Sequence, residues 1–227
     1  MKKLLIILLF PVFLIAQRGE EEILISYQKA PVLVTTILID YDDGISGNSI
    51  HDAAINNGGF EATTGGIPAF VNWVKVGAKN LAVQTNLNSP NGAGNNVIIA
   101  RDGGGFSSPG QDTGHVIALD DKFSASYAWR DAWNWGAGKT IDVTLYYTDT
   151  NLIGGARTIL FSFNSADETS NNTWENETLA LTAGVADAAA VGKTLFFAFE
   201  GNNLGNNSFA RLDNVYLDVT HLTTPLP

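Results

Sequence analysis

The sequence predicts an all-β protein, a β-sandwich or jelly roll of about ten strands following an N-terminal signal peptide. Three features carry that prediction. Apolar and polar residues alternate with a period of two through much of the second half. Runs rich in Val, Ile, Thr and aromatic residues are separated by clusters of Gly, Asn and Ser. No segment has a convincing helical stripe: Ala183 to Val191 has helical composition but is short, with Gly184 inside and Gly192 after it.

The elements follow in order. Lys2 and Lys3 precede an apolar run from Leu4 to Ile15, and Ala16 offers a small residue before Gln17. That is the layout of a secretory signal over residues 1–16, and the run is short for a spanning helix. No second apolar stretch reaches spanning length, so no integral membrane span is expected in the mature chain. Residues 17–30 begin with charge (Arg18, Glu20 to Glu22) and read as an N-terminal arm. The sandwich domain is assigned to residues 31–220 and a C-terminal tail to 221–227.

Within the domain, strands are expected at Val32–Tyr41, Ala69–Val76, Asn96–Ala100 and His115–Leu119. Phe123–Trp129 sets Phe123, Ala125, Tyr127 and Trp129 on one face against Ser124 and Ser126. Thr140–Thr148 alternates Ile141, Val143, Leu145 and Tyr147 against Asp142, Thr144 and Tyr146. Arg157–Asn164, Thr173–Leu181, Thr194–Glu200 and Phe209–Thr220 complete the set.

Charge and cysteine content narrow the function classes. Acidic residues number 23 against 13 basic, a formal net charge of −10. Binding phosphates needs clustered Lys and Arg, so nucleic acid is not an expected partner. With no Cys, disulfides, thiol nucleophiles and Cys-ligated zinc are ruled out. An exported chain of this kind is stabilised by core size, by hydrogen-bonded sheets or by a metal.

Two segments stand out together. Asn56-Asn57-Gly58-Gly59-Phe60-Glu61 is followed by Trp73, and Ala210-Arg211-Leu212-Asp213-Asn214-Val215-Tyr216-Leu217 closes the last strand. The pair resembles the opening and closing motifs of the galactose-binding-like jelly roll found in many bacterial carbohydrate-binding modules. The resemblance covers roughly residues 55–219. It implies a structural calcium with Glu61 and Asp213 as side-chain ligands and backbone oxygens near Asn57 or Gly59. Calcium accepts six to eight oxygens without strict geometry, which suits such a set. The plainer reading is a glycine turn, a core Phe60 and a turn-capping Asp213. Asp40-Tyr41-Asp42-Asp43-Gly44 lacks EF-hand spacing and reads as a strand-end turn.

Sugars are held by aromatic faces with polar neighbours. Tyr127, Trp129, Trp133 and Trp135 share a face if their segment is extended, and Arg130, Asp131 and Asn134 would supply hydrogen bonds. These are the expected ligand-binding residues, with Trp73 and Trp174 as further candidates. The same aromatics can equally fill a sandwich core.

Nothing in the sequence spacing describes a catalytic centre. Glu175 and Glu177 fall on one strand face, but there is no Glu-x-Asp-x-x-Glu run and no Gly-x-Ser-x-Gly elbow. His51, His115 and His221 are scattered, and Gly103-Gly104-Gly105 is not followed by a Lys-Ser/Thr pair. The expectation is therefore a non-catalytic, calcium-stabilised module, secreted or at the cell surface, that binds a polysaccharide or other glycan. A structural or adhesive surface protein is the first alternative, and a glycoside-active enzyme the second.

Overall fold

The computed structural model describes residues 31–41, 58–60, 72–77, 82–84, 96–99, 107–131, 137–165, 173–181, 183–202 and 210–223. The expected signal peptide and N-terminal arm lie outside them. The described residues form eleven strands and no helix. They are β1 (Val32–Ile39), β2 (Val74–Gly77), β3 (Ala82–Gln84), β4 (Asn96–Ile99), β5 (Ser107–Val116) and β6 (Lys122–Asp131). β7 (Thr140–Thr148), β8 (Arg157–Asn164), β9 (Trp174–Leu181), β10 (Thr194–Asn202) and β11 (Ala210–Thr223) follow.

Two antiparallel sheets face each other. One is six-stranded, in the order β3-β4-β11-β6-β9 with β1 also paired to β11; the other is five-stranded, β2-β5-β10-β7-β8. The long β11 holds the first sheet together. Its first residues pair with β4, its last seven with β1, and β6 runs along its other side. The pairing of first and last strands extends to Val32↔Thr223, so β11 continues three residues into the stretch read as a tail.

The alternation seen in the sequence selects the core. Phe123, Ala125, Tyr127 and Trp129 of β6 meet Ile141, Val143, Leu145 and Tyr147 of β7 and Leu195, Phe197 and Phe199 of β10 in one buried cluster. Rings interlock edge to face: Tyr127 and Phe199 lie 5.0 Å apart between centroids, and Phe197 and Phe199 4.9 Å. Such pairs add to the 1.5–3 kcal/mol, roughly, that each buried large side chain contributes.

Where strand boundaries differ from expectation, tertiary pairing outweighs local composition. β5 reads SSPGQDTGHV, a turn-like string, yet it is held between β2 and β10. Its ladder to β10 begins at Gly110, so Pro109 faces only β2 and no lost N–H interrupts the inner ladder. Between Asp112 and Val116 it carries extra residues, absorbed at Gly114 with φ of 70°. The expected His115–Leu119 strand is thus only the tail of a longer one. His115 and its turn are tied internally: Nε2 lies 2.7 Å from Asp121 Oδ2, which also accepts the Ala118 N–H.

Candidate functional site

Because Trp129 and Leu212 point into the core, their neighbours Arg130 and Arg211 lie on the outer face of the six-stranded sheet. Register then orders that face into rows. Arg211, Arg130 and Trp174 are successive cross-strand partners; next come Asp213, Ala128 and Asn176; then Tyr216, Ser126 and Thr178.

An open cavity of about 210 Å³ sits on the lower two rows, lined by Tyr41, Ser126, Tyr127, Asn176, Glu177, Thr178 and Asn214. β11 makes room for it with a bulge between Asp213 and Tyr216, where Asn214 takes φ of 52°. Short polar side chains on β6 and β9, Ser126, Asn176 and Thr178, leave a floor of hydroxyl and amide groups. Tyr41, just beyond β1, also lines it. The neighbouring Tyr216 is pushed up to about 12, by burial first and then by its hydrogen bond to Asp218 and the charges of Asp218 and Asp40. Burial likewise raises Asp218, with the Tyr216 hydrogen bond opposing. Both groups therefore keep their protons more tightly than in water. The arrangement can donate and accept several hydrogen bonds at once, which is what a hydroxyl-rich ligand requires.

Beside the cavity, the two motif segments do come together. Gly58 N–H donates to the Asp40 carbonyl (2.8 Å), and Val215 N–H donates to the Gly58 carbonyl (3.0 Å). Gly58 is thereby clamped between the end of β1 and the β11 bulge, where a Cβ would collide with the Asp40 and Val215 carbonyls. Phe60 turns into the core against Trp73, centroids 4.9 Å apart. Asp40 and Asp213 are both buried, and each accepts the N–H of its following residue at 2.8 Å. Of the side-chain ligands that the resemblance implies, only Asp213 lies among the described residues. Among the described residues no three acidic or His side chains cluster as metal ligands; Asn57 and Glu61 lie outside them.

The expected ligand-binding aromatics are placed differently. Tyr127 and Trp129 are 2% and 1% exposed and fill the core, so neither offers a face for stacking. The reason is their company: both follow Phe123 and Ala125 on the apolar side of β6. Tyr127 still borders the cavity, and burial raises its hydroxyl well above the usual phenol range. Asp131 is likewise buried, whereas Arg130 is half-buried on the outer face. Trp133 and Trp135 lie outside the described residues. Trp73 is core, and Trp174 is half-buried in the row of Arg130.

Sequence reasoning missed Tyr41, Ser126, Asn176, Thr178 and Asn214. The only local signal was polar residues on the outward parity of β6 and β9.

No family model and no curated protein matches the sequence. Solved structures do resemble the fold. A cyclase from Fischerella sp. TAU aligns over 86% of this chain and 100% of its own, at 15% identity and a TM-score of 0.53. A CBM22-1 xylan-binding domain from Paenibacillus barcinonensis Xyn10C aligns over 81% and 94%, at 13% identity and a TM-score of 0.49. A family 11 carbohydrate-binding module from Clostridium thermocellum aligns over 70% and 94%, at 10% identity and a TM-score of 0.41. At these identities the likeness to the cyclase is one of fold.

Proposed function

We propose that this is an exported, non-catalytic glycan-binding protein whose groove lies on the outer face of the six-stranded sheet. The observation that carries the reading is the open, polar cavity lined by Tyr41, Ser126, Asn176, Thr178 and Asn214. A sugar ring presents hydroxyls around an apolar C–H face, and this lining offers partners for both. Export is supported by the signal-like residues 1–16. A calcium ion with Glu61 and Asp213 as side-chain ligands, and backbone oxygens near Asn57 or Gly59, would tie the glycine turn to the last strand. When bound it would supply cross-linking charge and no chemistry.

The test is titration of the purified protein against soluble glycans by calorimetry, repeated with Asn176→Ala. Asn176 is exposed on an edge strand, so its truncation should leave stability within about 0.5 kcal/mol. Binding should weaken about tenfold, as expected when a polar anchor is lost. Equal binding by both proteins would move the site elsewhere.

A second reading, an adhesive surface protein, is favoured by one feature. Val32, Leu33 and Val34 of β1 and Leu222 of β11 are 50%, 64%, 37% and 58% exposed. Among the described residues β1 pairs on one side only, leaving an apolar edge. Absence of glycan binding together with self-association in sedimentation would favour it.

A further inference from the structure

The exposed apolar side chains gather at one place. Among the described residues, every exposed large apolar side chain except Ile37, Val74 and Ile159 lies at one end of the sandwich. Register defines that end. Val32 and Thr223 form the terminal pair of β1 and β11, and Thr220 stands opposite Lys122, the first residue of β6. The β5–β6 turn with Leu119 therefore lies there, as does Val116, whose partner Thr194 opens β10. Thr194 N–H donates to Asn151 Oδ1 and Lys193 Nζ to the Asp149 carbonyl, which holds the β7–β8 turn and Leu152 alongside. Gly192 N–H donates to the Ile117 carbonyl, so Val191 joins them.

Hydrogen bonds fix these tips in place. Leu152 N–H donates to Thr148 Oγ1 (3.1 Å), Gly155 N–H to the Leu152 carbonyl (2.8 Å) and Ala118 N–H to Asp121 Oδ2 (2.7 Å). Turns ordinarily present Gly, Asn, Asp or Ser to water, yet these present Leu119 and Leu152, each more than half exposed. Apolar surface brought to one end from several separate segments marks a contact surface. Charge and chain path select its occupant. Asp120, Asp149 and Asp187 are exposed among the tips, and a two-fold contact between copies would set those carboxylates against their own kind. The other apolar stretch of the sequence, Leu4–Ile15, leads into β1 at this same end through residues 16–31, a reach of at most about 55 Å. That signal-like run is the membrane-seeking part of the chain during export, so this is the end presented to lipid.

We propose that this end docks on a zwitterionic lipid surface, with Leu119, Leu152 and Val191 entering the headgroup layer. The strength of such docking follows the apolar area removed from water, while the exposed aspartates oppose anionic headgroups. Docking leaves the glycan groove open: Ser126 is four residues along β6 from Lys122, about 13 Å. Lipid docking is independent of glycan binding and adds to it.

The test is flotation of the exported form, residues 17–227, with vesicles of phosphatidylcholine and phosphatidylethanolamine. The protein should float with them. Leu119→Asp combined with Leu152→Asp should lower the bound fraction at least about tenfold, since neither side chain is then buried in lipid. Both leucines project into water, so the unfolding midpoint should hold. Replacing about a third of the lipid by phosphatidylglycerol at low salt should weaken binding, and added salt should restore it. No flotation of the wild-type protein, or equal flotation of the double variant, would overturn lipid docking. Tighter binding to the anionic vesicles would overturn the zwitterionic assignment. Sedimentation without lipid should show a monomer; a dimer that the double variant loses would assign this end to a second copy instead. The wild-type vesicle series decides the matter even if the double variant fails to fold.

Discussion

The two outer faces of the sandwich are made of similar residues and end in different states. On the five-stranded sheet, Tyr146 stacks on Phe196, centroids 5.4 Å apart and ring planes 30° apart, and both side chains are fully buried with Ala198. Ile153 packs onto them from the β7–β8 turn, and its carbonyl accepts the Tyr146 hydroxyl. Arg157 lies over the Tyr146 ring at 4.5 Å and pairs with Glu200. Asn164 donates to Asp142 and Thr140. Each polar group named here is met within the molecule. On the six-stranded sheet an open polar cavity sits beside a row in which the Arg130 Nε–H and the Trp174 indole N–H have no hydrogen-bond partner. Aromatic and charged residues on a sheet face do not by themselves mark a binding site. The state that marks one is incomplete internal satisfaction.

Removing a ring from the closed face is the strongest way to break this contrast. Phe196→Ala should cost about 4 kcal/mol in denaturant unfolding, because a fully buried ring leaves both its transfer energy and a cavity. Glycan affinity should not change. A neutral result would mean that the Phe196 face is as open as the other. Gly58→Ala comes next, at about 3 kcal/mol, as its methyl group must displace the Asp40 or Val215 carbonyl. Unlike Phe196→Ala, it should also weaken glycan binding, since Asn214 sits in the bulge that Gly58 clamps. Full stability in Gly58→Ala would show that the clamp yields freely.

Calcium sharpens the same seam. Saturation at about a hundred times the dissociation constant should stabilise the protein by roughly 2.7 kcal/mol, read as a rise in melting temperature that chelator reverses. Asp213→Asn keeps the shape of the side chain and removes its charge, so the rise should disappear while Phe196→Ala retains it. A rise undiminished in Asp213→Asn would remove that carboxylate from the ion's ligands.

How much of this was legible in the sequence depends on whether the information was local. β7 and β8 have the expected bounds because their alternation is strict and their flanks are turn residues. β3 and most of β5 escaped because only pairing with distant strands makes them extended. The period of β6 was readable, but not that its aromatic side faces the other sheet; Phe123 and Ala125 on that side were the available clue. Asp40 read as a strand-end turn and does end β1, yet only the fold shows Gly58 hydrogen-bonded to it. The Arg211–Arg130–Trp174 row was invisible for a stricter reason. Register across strands 45 to 80 residues apart, roughly, leaves no local trace in composition.

The smallest effect compares one tyrosine on each face. Tyr146 and Tyr216 are both pushed up to about 12, so each keeps its proton in the folded state at pH values where an unfolded tyrosine, near 10, has lost it. The raised values contribute stability that is complete below pH 10 and is lost as pH rises from 10 toward 12. Unfolding free energy should therefore fall across that window, and Tyr146→Phe or Tyr216→Phe should each flatten the fall. The second substitutions should then part the two faces. Tyr216 is held up partly by Asp218, so Asp218→Asn should bring its titration down toward 10. Tyr146 is raised by burial and held back by Arg157, so Arg157→Gln should push its titration higher still. Tyrosinate absorbance followed in single-Phe backgrounds reads each ring separately. Opposite shifts would show that one face contains its own counter-charge and the other crowds charge of one sign; shifts in the same direction would erase that distinction.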